Sequence, residues 1–401
     1  MKERAICHLN IIGFRATVAE IKDKSLKGKP FVIAGATGGR SLALDCSSEA
    51  VRQGVSPGTA LAVAEKRIKD LIVLPPDIPA YETMNKEIDR IAAKYAPVWE
   101  NDRGGNLYLD ITGTTLCNGA PVDCSSKVLA NIFEKTHICP VAAVASNKLV
   151  SKVATRTIRP VGLIQVHIGT EAEFLNHQDI RIFPGMGQNL LRTAAVVGIR
   201  EIGEIAALSE AGVIALFGKR GAILRNMALG IDSTPVEDRS GRKSITQQAD
   251  FIEDILEENA IKAAIEVLVE RGGLEMRNEK FGMRKISFVV IYADGMRVEG
   301  CEKSKRLLVT DKEIMTIAYA VYKKTVNRRI RIRSIGLSFE DLIPLGYQPD
   351  LFEPETEIKN RKLQEAVDEI QNRYGTGKVT RGLALTASPK NDGKRLLETI
   401  L

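Results

Sequence analysis

Short apolar runs alternate with amphipathic stretches through the first half of the chain. Ala5–Phe14 (AICHLNIIGF) and Gly104–Thr112 (GGNLYLDIT) are rich in β-formers and broken by glycine, which predicts two neighbouring buried strands of one sheet. Phe31–Gly35 and Pro140–Ala145 read as further apolar strands. Between them, Phe14–Glu20 starts a helix and Ser47–Gln53 is a short helix closed by Gly54. Tyr81–Tyr95, Pro121–Phe133 and Asn147–Ile158 carry apolar residues at helical spacing with a charged opposite face. This alternation predicts an α/β domain.

The pattern changes from Ile182 to Ile231, where FPGMGQNLLRTAAVVGIREIGEIAAL reads as helix, Pro-Gly-Met-Gly hairpin and helix, with Gly198-Ile199 as the next turn. It resembles a helix-hairpin-helix element. Gly185 and Gly187 permit a tight turn that presents amide N–H groups at a helix N-terminus, where a phosphate can bind without any base contact. Lys219 and Arg220, in FGKRG, are the expected cationic partners. Pro235–Arg242 is polar and suits a tether. Beyond it, helices at Asn259–Arg271 and Lys312–Thr325 flank a strand at Lys285–Ala293 and an Asp294-Gly295 hairpin turn. In the final strand, NRRIRIRSIGLSF, alternation puts Arg329, Arg331 and Arg333 on one face and Ile330 and Ile332 on the core side. The three cations suit either backbone phosphate or a solvated edge. The chain therefore reads as multidomain, α/β then α+β.

Composition narrows the partners. A chain of 401 residues with 44% hydrophobic content can form several packed cores. A net charge of +7, from 57 basic and 50 acidic residues, favours an acidic partner such as nucleic acid. Cys7, Cys46, Cys117, Cys124, Cys139 and Cys301 show no Cys-x-x-Cys spacing and no clustered histidine, so no structural zinc site is expected. No leader opens the sequence and no apolar run is long enough for a membrane span, so a cytoplasmic protein with no membrane partner is expected.

In order along the chain, HLNIIGF, SLKGKPFVIAG, SSEAVRQGV, NLYLDITGT, RPVG, PGMG…GIREIG and KS resemble the Y-family (translesion, DinB/UmuC-like) DNA polymerases. The resemblance implies a right-hand fold. Its expected parts are a palm at 1–13 and 77–167, fingers at 14–76, a thumb at 168–233, a linker at 234–243, a little finger at 244–340 and a tail at 341–401. Asn10 stands where the family has its first metal-binding Asp, Ile12 at the second acidic position, and Gly105 and Asn106 in place of an Asp-Glu pair. Ser48 and Val51 replace nucleotide-touching Tyr and Arg, and Arg15 falls on the aromatic steric gate. Arg159, in RPVG, matches a Lys that presents a cation to the triphosphate; it suits either an anion site or a solvated helix end. Gln348, Asp350, Leu351 and Phe352, around Pro349, resemble the pentapeptide with which bacterial polymerases dock on the sliding clamp.

Nucleotidyl transfer relies on two divalent ions roughly 3.5 to 4 Å apart, held by carboxylates. Asn10 offers an amide oxygen without charge, and Ile12 and Gly105 offer nothing. Glu100, Asp102 and Asp110 lie three or more residues of extended chain away, roughly 10 Å or further from the expected position. The expectation is a catalytically inactive member, most similar to the ImuB type, without a cofactor. It would bind primer–template DNA and the bacterial sliding clamp and recruit a replicative-type or translesion polymerase. The alternative is a weak or Mn²⁺-dependent polymerase with relocated ligands, needing Mg²⁺ or Mn²⁺.

Overall fold

The computed structural model describes residues 4–35, 41–237, 244–345, 355–375, 379, 382 and 397–398. The chain divides into two compact units, Met1–Gly241 and Arg242–Leu401. The division falls inside the segment read as a tether.

The first unit opens with β1 (Ile6–Asn10) and α1 (Phe14–Lys22), followed by β2 (Phe31–Ala34), β3 (Ala43–Cys46), α2 (Ser48–Arg52), α3 (Leu61–Arg67) and β4 (Ile72–Leu74). Next come α4 (Ile78–Ala92), β5 (Val98–Asn101), β6 (Asn106–Asp110), α5 (Thr115–Asn118), α6 (Pro121–Thr136), β7 (Val141–Ala145), α7 (Lys148–Thr157) and β8 (Leu163–Gln165). The two expected strands are neighbours: β1 is the middle of a sheet ordered β5-β6-β1-β7-β8 and pairs antiparallel with both β6 and β7. A smaller sheet is ordered β3-β2-β4.

Side chains alternate across β1 because successive residues point to opposite faces. Cys7 and Leu9 join Ile88 and Ile91 of α4 and Val128 and Ile132 of α6 in one core. His8 therefore turns to the other face, where its Nδ1 lies 2.7 Å from Thr155 Oγ1 of α7. Asn10, two residues on, shares that face.

Five short helices complete the unit: α8 (Glu171–Asn176), α9 (Gln188–Val196), α10 (Ile202–Ala207), α11 (Glu210–Phe217) and α12 (Gly221–Ala228). The helix expected immediately before the Pro-Gly-Met-Gly turn is only a single 3-10 turn, Ile180–Ile182. Asp179 starts it by accepting from the Arg181 amide, and Pro184, which has no amide to donate, ends the run.

The second unit is a sheet ordered β11-β10-β12-β9-β13, from β9 (Ser244–Ile255), β10 (Phe281–Tyr292), β11 (Arg297–Leu308), β12 (Ile332–Pro344) and β13 (Leu397–Glu398). Helices α13 (Glu258–Asn278) and α14 (Asp311–Thr325) cover it through Ile265, Leu268, Ile314, Phe288 and Phe339. α13 runs seven residues beyond the expected end, through Gly272 and Gly273. A Cβ at Gly272 would lie 2.3 Å from the Phe339 ring, so the glycine marks close approach of helix to sheet, not a stop. β12 begins only at Ile332, so Arg329 and Arg331 precede it and the alternating arginine face is not formed.

A last helix, α15 (Glu355–Tyr374), is tied to this unit by Arg277. Its guanidinium bonds Asp311 Oδ1 at 2.8 Å and Asp368 at 2.5 and 2.9 Å, with all three side chains largely buried. Burial alone would lower the Arg277 pKa, but bonding and charge from Asp368 and Asp311 raise it. Removing one member of such a cluster leaves buried carboxylates uncompensated. Arg277→Ala is expected to cost about 3 kcal/mol and to free α15. The check is limited trypsin digestion of the full chain, with faster cleavage at Lys359 and Lys362.

Candidate functional site

The register of β1 against β6 places Asn10 opposite Asn106. Their side chains form one directed relay. Arg159 Nη2 donates to Asn10 Oδ1 at 2.7 Å, Asn10 Nδ2 to Asn106 Oδ1 at 3.0 Å, and Asn106 Nδ2 to Asp102 Oδ2 at 2.6 Å. The expectation that Asp102 stands roughly 10 Å away fails, because the chain between is not extended. Arg103 has φ 57° and Gly105 φ 98°, so the segment folds back and Asp102 Oδ1 accepts the Gly104 and Asn106 amides, each at 2.9 Å. Asp110 stays at the far end of β6, opposite Ile6.

Gly105 has no space for a side chain. A Cβ there would lie 2.6 Å from the Ile11 carbonyl oxygen and 3.0 Å from Phe14 Cβ, while the Gly105 carbonyl accepts the Ile11 amide at 2.7 Å. Ile12, just beyond β1, is exposed. The donor set here is two amides, a guanidinium and one carboxylate already holding three N–H bonds. It does not fit two divalent cations, which need several anionic oxygens. Among the described residues no three His, Cys, Asp or Glu side chains gather as a metal site.

Cations dominate the facing helix. Lys148, Lys152 and Arg156 recur every four residues along α7, and Arg159 follows its end, so they share one side. Lys148 is neutralised by Glu100 at 2.5 Å and lies 4.7 Å from the centre of the Tyr108 ring; Lys152 lies 5.8 Å from it. Burial, then Arg156, lowers the Lys152 pKa, and burial, then Arg156, lowers that of Arg159. His8 is held neutral by burial and by Lys152. Sequence reading passed over Lys152 and Arg156. Their four-residue spacing is the available signal, but in the sequence it marks only an amphipathic helix.

Arg156, Arg159 and Arg181 line one open cleft of about 610 Å³ with the turn Phe183–Gly187. Lys219 and Arg220 are not among the residues that line this cleft. Lys219 and Arg220 are exposed in a separate 3-10 turn. Gly185 has the positive φ, 90°, that the turn requires, whereas Gly187 is the extended N-cap of α9. Arg156 is anchored to the Ile182 carbonyl at 2.6 Å, and Arg181 is paired with Asp179.

Near the position of the steric gate, Asp45 of β3 supplies a cap that α1 lacks at Gly13. Its carboxylate accepts from the amides of Arg15 at 2.8 Å, Ala16 at 3.4 Å and Cys46 at 3.0 Å. Burial raises its pKa in spite of those bonds. Ser48 and Val51 are exposed on α2. In the second unit, Arg333 is half-exposed, donating to the Ala293 carbonyl at 2.6 Å and lying 3.6 Å from Asp254. Only Arg329 and Arg331 of that trio are exposed. Gln348, Asp350, Leu351 and Phe352 lie outside the described residues.

A model of the impB/mucB/samB family matches residues 9–156, and one of that family's C-terminal domain matches residues 242–351. The chain is 28% identical over 396 residues to the DNA polymerase IV of Desulfatibacillum aliphaticivorans, covering 98% of this chain and 100% of that protein. It is 25% identical over 383 residues to the DNA polymerase IV of Dehalococcoides mccartyi (strain CBDB1), covering 95% and 98%. Among solved structures, a Y-family DNA polymerase chimera superposes with TM-score 0.74 at 23% identity, over 85% of this chain and 99% of that one. The insertion ternary complex of Dbh DNA polymerase gives 0.63 at 23% identity over the same shares. The fold is thus the Y-family one, with palm, fingers and little finger. With both family models matched in order and relatives aligned along nearly its whole length, this chain belongs to the Y family of DNA polymerases.

Proposed function

We propose that this protein is a catalytically inactive Y-family member, of the ImuB type, that acts in DNA damage tolerance. It binds primer–template DNA, docks on the bacterial sliding clamp and recruits an active polymerase. The observation that carries the reading is the closed metal position. Gly105 admits no side chain, and the Asn10 oxygen is already bonded to a guanidinium. Metal charge provides most of the electrostatic stabilisation in phosphoryl transfer, so a palm without its anionic ligands loses that contribution. DNA binding is supported by the exposed Lys219, Arg220, Arg329 and Arg331 and by the glycine turn at Gly185. It is also supported by the solved fold relative described as an insertion ternary complex. Clamp docking rests on Gln348, Asp350, Leu351 and Phe352 alone.

Primer extension is the decisive assay. On primer–template shown by mobility shift to be bound, no nucleotide is expected to be added in Mg²⁺ or in Mn²⁺. Extension that disappears in Asp102→Asn would overturn the reading in favour of a polymerase with a relocated ligand. Asn10→Asp with Asn106→Glu is expected to stay inactive. Gly105→Asp, forced into a positive φ against the Ile11 carbonyl, is expected to destabilise the first unit by about 2 kcal/mol or more, read as a lower denaturation midpoint.

DNA affinity is expected to fall log-linearly with salt and to weaken in Gly185→Val irrespective of DNA sequence, measured by fluorescence anisotropy. A salt-insensitive constant would instead indicate a module that works through proteins only. For the clamp, Leu351→Ala with Phe352→Ala is expected to abolish pull-down by purified clamp; retained capture would remove the motif from the account.

A further inference from the structure

We propose that the outer side of α15 is a docking surface for an acidic amphipathic helix of a partner protein. The inference is independent of how the palm is read: primer extension tests the palm, and peptide binding tests this surface.

An amphipathic helix ordinarily turns its apolar side to the body on which it packs. α15 does the reverse. Gln364 and Gln371 are its buried residues, and Asp368 between them holds Arg277 at 2.5 and 2.9 Å. Gln364 accepts the Asp311 amide and donates to Asp311 Oδ2, each at 3.2 Å, and Asn372 donates to Asn278 Oδ1 at 2.9 Å. These directional bonds fix the rotation of the helix, because turning it would strand buried polar groups. Leu363, Val367, Ile370 and Tyr374 are thereby left on its outer flank, at the alternating spacing of four and three residues that makes a coiled-coil seam. Leu363 is 64% exposed, Tyr374 59% and Ile370 39%, and Val367 is half-buried. The seam runs about 17 Å from Leu363 to Tyr374, enough to seat a helix of about three turns.

Charge selects the occupant. Lys359, Ala366 and Arg373 form the column next to Leu363 and Ile370, and both cations are exposed. Arg373 also lies 5.5 Å from the centre of the Tyr374 ring, so positive charge sits against the end of the seam. Charges in such flanking columns set which helix pairs and in which direction. A second copy of α15 laid antiparallel would set Lys359 against Arg373, and like charges facing across a seam are destabilising. Laid parallel, it would need the Gln364 and Gln371 column, which is already buried. Residues 376–396, which follow the helix, carry Lys378, Arg381, Lys390, Lys394 and Arg395 against Asp392, the same sign as the border. DNA would meet the cations but leave the apolar side chains in water. A helix with an apolar stripe flanked by Asp or Glu complements both the seam and its border.

The test uses the full chain and two fluorescein-labelled synthetic helices of about three heptads, read by anisotropy. Both carry Leu at the seam positions; one carries Glu and the other Lys at the flanking positions. The acidic peptide is expected to bind about fivefold or more tightly than the basic one, by a margin that shrinks as salt rises. Leu363→Ser with Ile370→Ser is expected to lower the affinity for the acidic peptide about tenfold or more. Lys359→Glu with Arg373→Glu is expected to invert the preference between the two peptides. All four side chains are exposed, so the denaturation midpoint is expected to stay where it is in both variants. Equal binding of the two peptides, or binding that the serine variant does not weaken, overturns the proposal. So does a dimer in sedimentation velocity that the serine variant dissolves, which would assign the seam to a second copy. Loss of primer–template affinity in the serine variant, with neither peptide bound, would assign it to DNA and overturn the proposal equally.

Discussion

The antiparallel register that sets Asn10 opposite Asn106 governs the rest of the palm. β1 is the central strand of its sheet and all of its residues are buried, so its position is fixed from both sides. The turn that closes β5 onto β6 must then pass directly over the Ile11 carbonyl, and only a residue without Cβ fits there. Gly105 is therefore a consequence of backbone proximity. A carboxylate at that place would require a different path for residues 102–106, not merely a different side chain.

Charge at this site is arranged in the sense opposite to a metal centre. A two-metal site gathers anionic oxygens around cations. Here guanidinium and ammonium groups on and after α7 approach a relay of neutral amides, and the one carboxylate in that relay is saturated by N–H donors. The buried His8 stays uncharged among those cations, since a further positive charge without a partner would be costly. At this position β1, β6 and the segment after α7 thus present two amides and a guanidinium, not a cluster of carboxylates.

The second unit is organised around a different constraint, the close approach of α13 to the sheet at Gly272 and the Arg277 cluster that follows it one turn later. Arg277 joins the end of α13, the start of α14 and α15 through two carboxylates, so the tail helix is part of this unit's buried polar structure. Edge strand β11 carries exposed charged residues, including Arg297, Glu299 and Lys303, which discourage pairing with another chain at that edge.

The sequence by itself determined the family frame, the order of strands and helices through the first unit, and the uncharged identity of Asn10, Ile12, Gly105 and Asn106. Those features are local: apolar periodicity, glycine punctuation and residue identity carry them. Tertiary structure decided which side chains meet. That Asp102 folds back onto Asn106 depends on two positive φ values in a turn, and that Gly105 cannot be replaced depends on a carbonyl ninety-four residues earlier in the chain. That Arg156, Arg159 and Arg181 line one cleft with the glycine turn has the same origin, because they are brought to it from α7, the segment after it and a separate 3-10 turn. Periodicity told the faces of each helix apart, but it carries no information about which other element a face will meet.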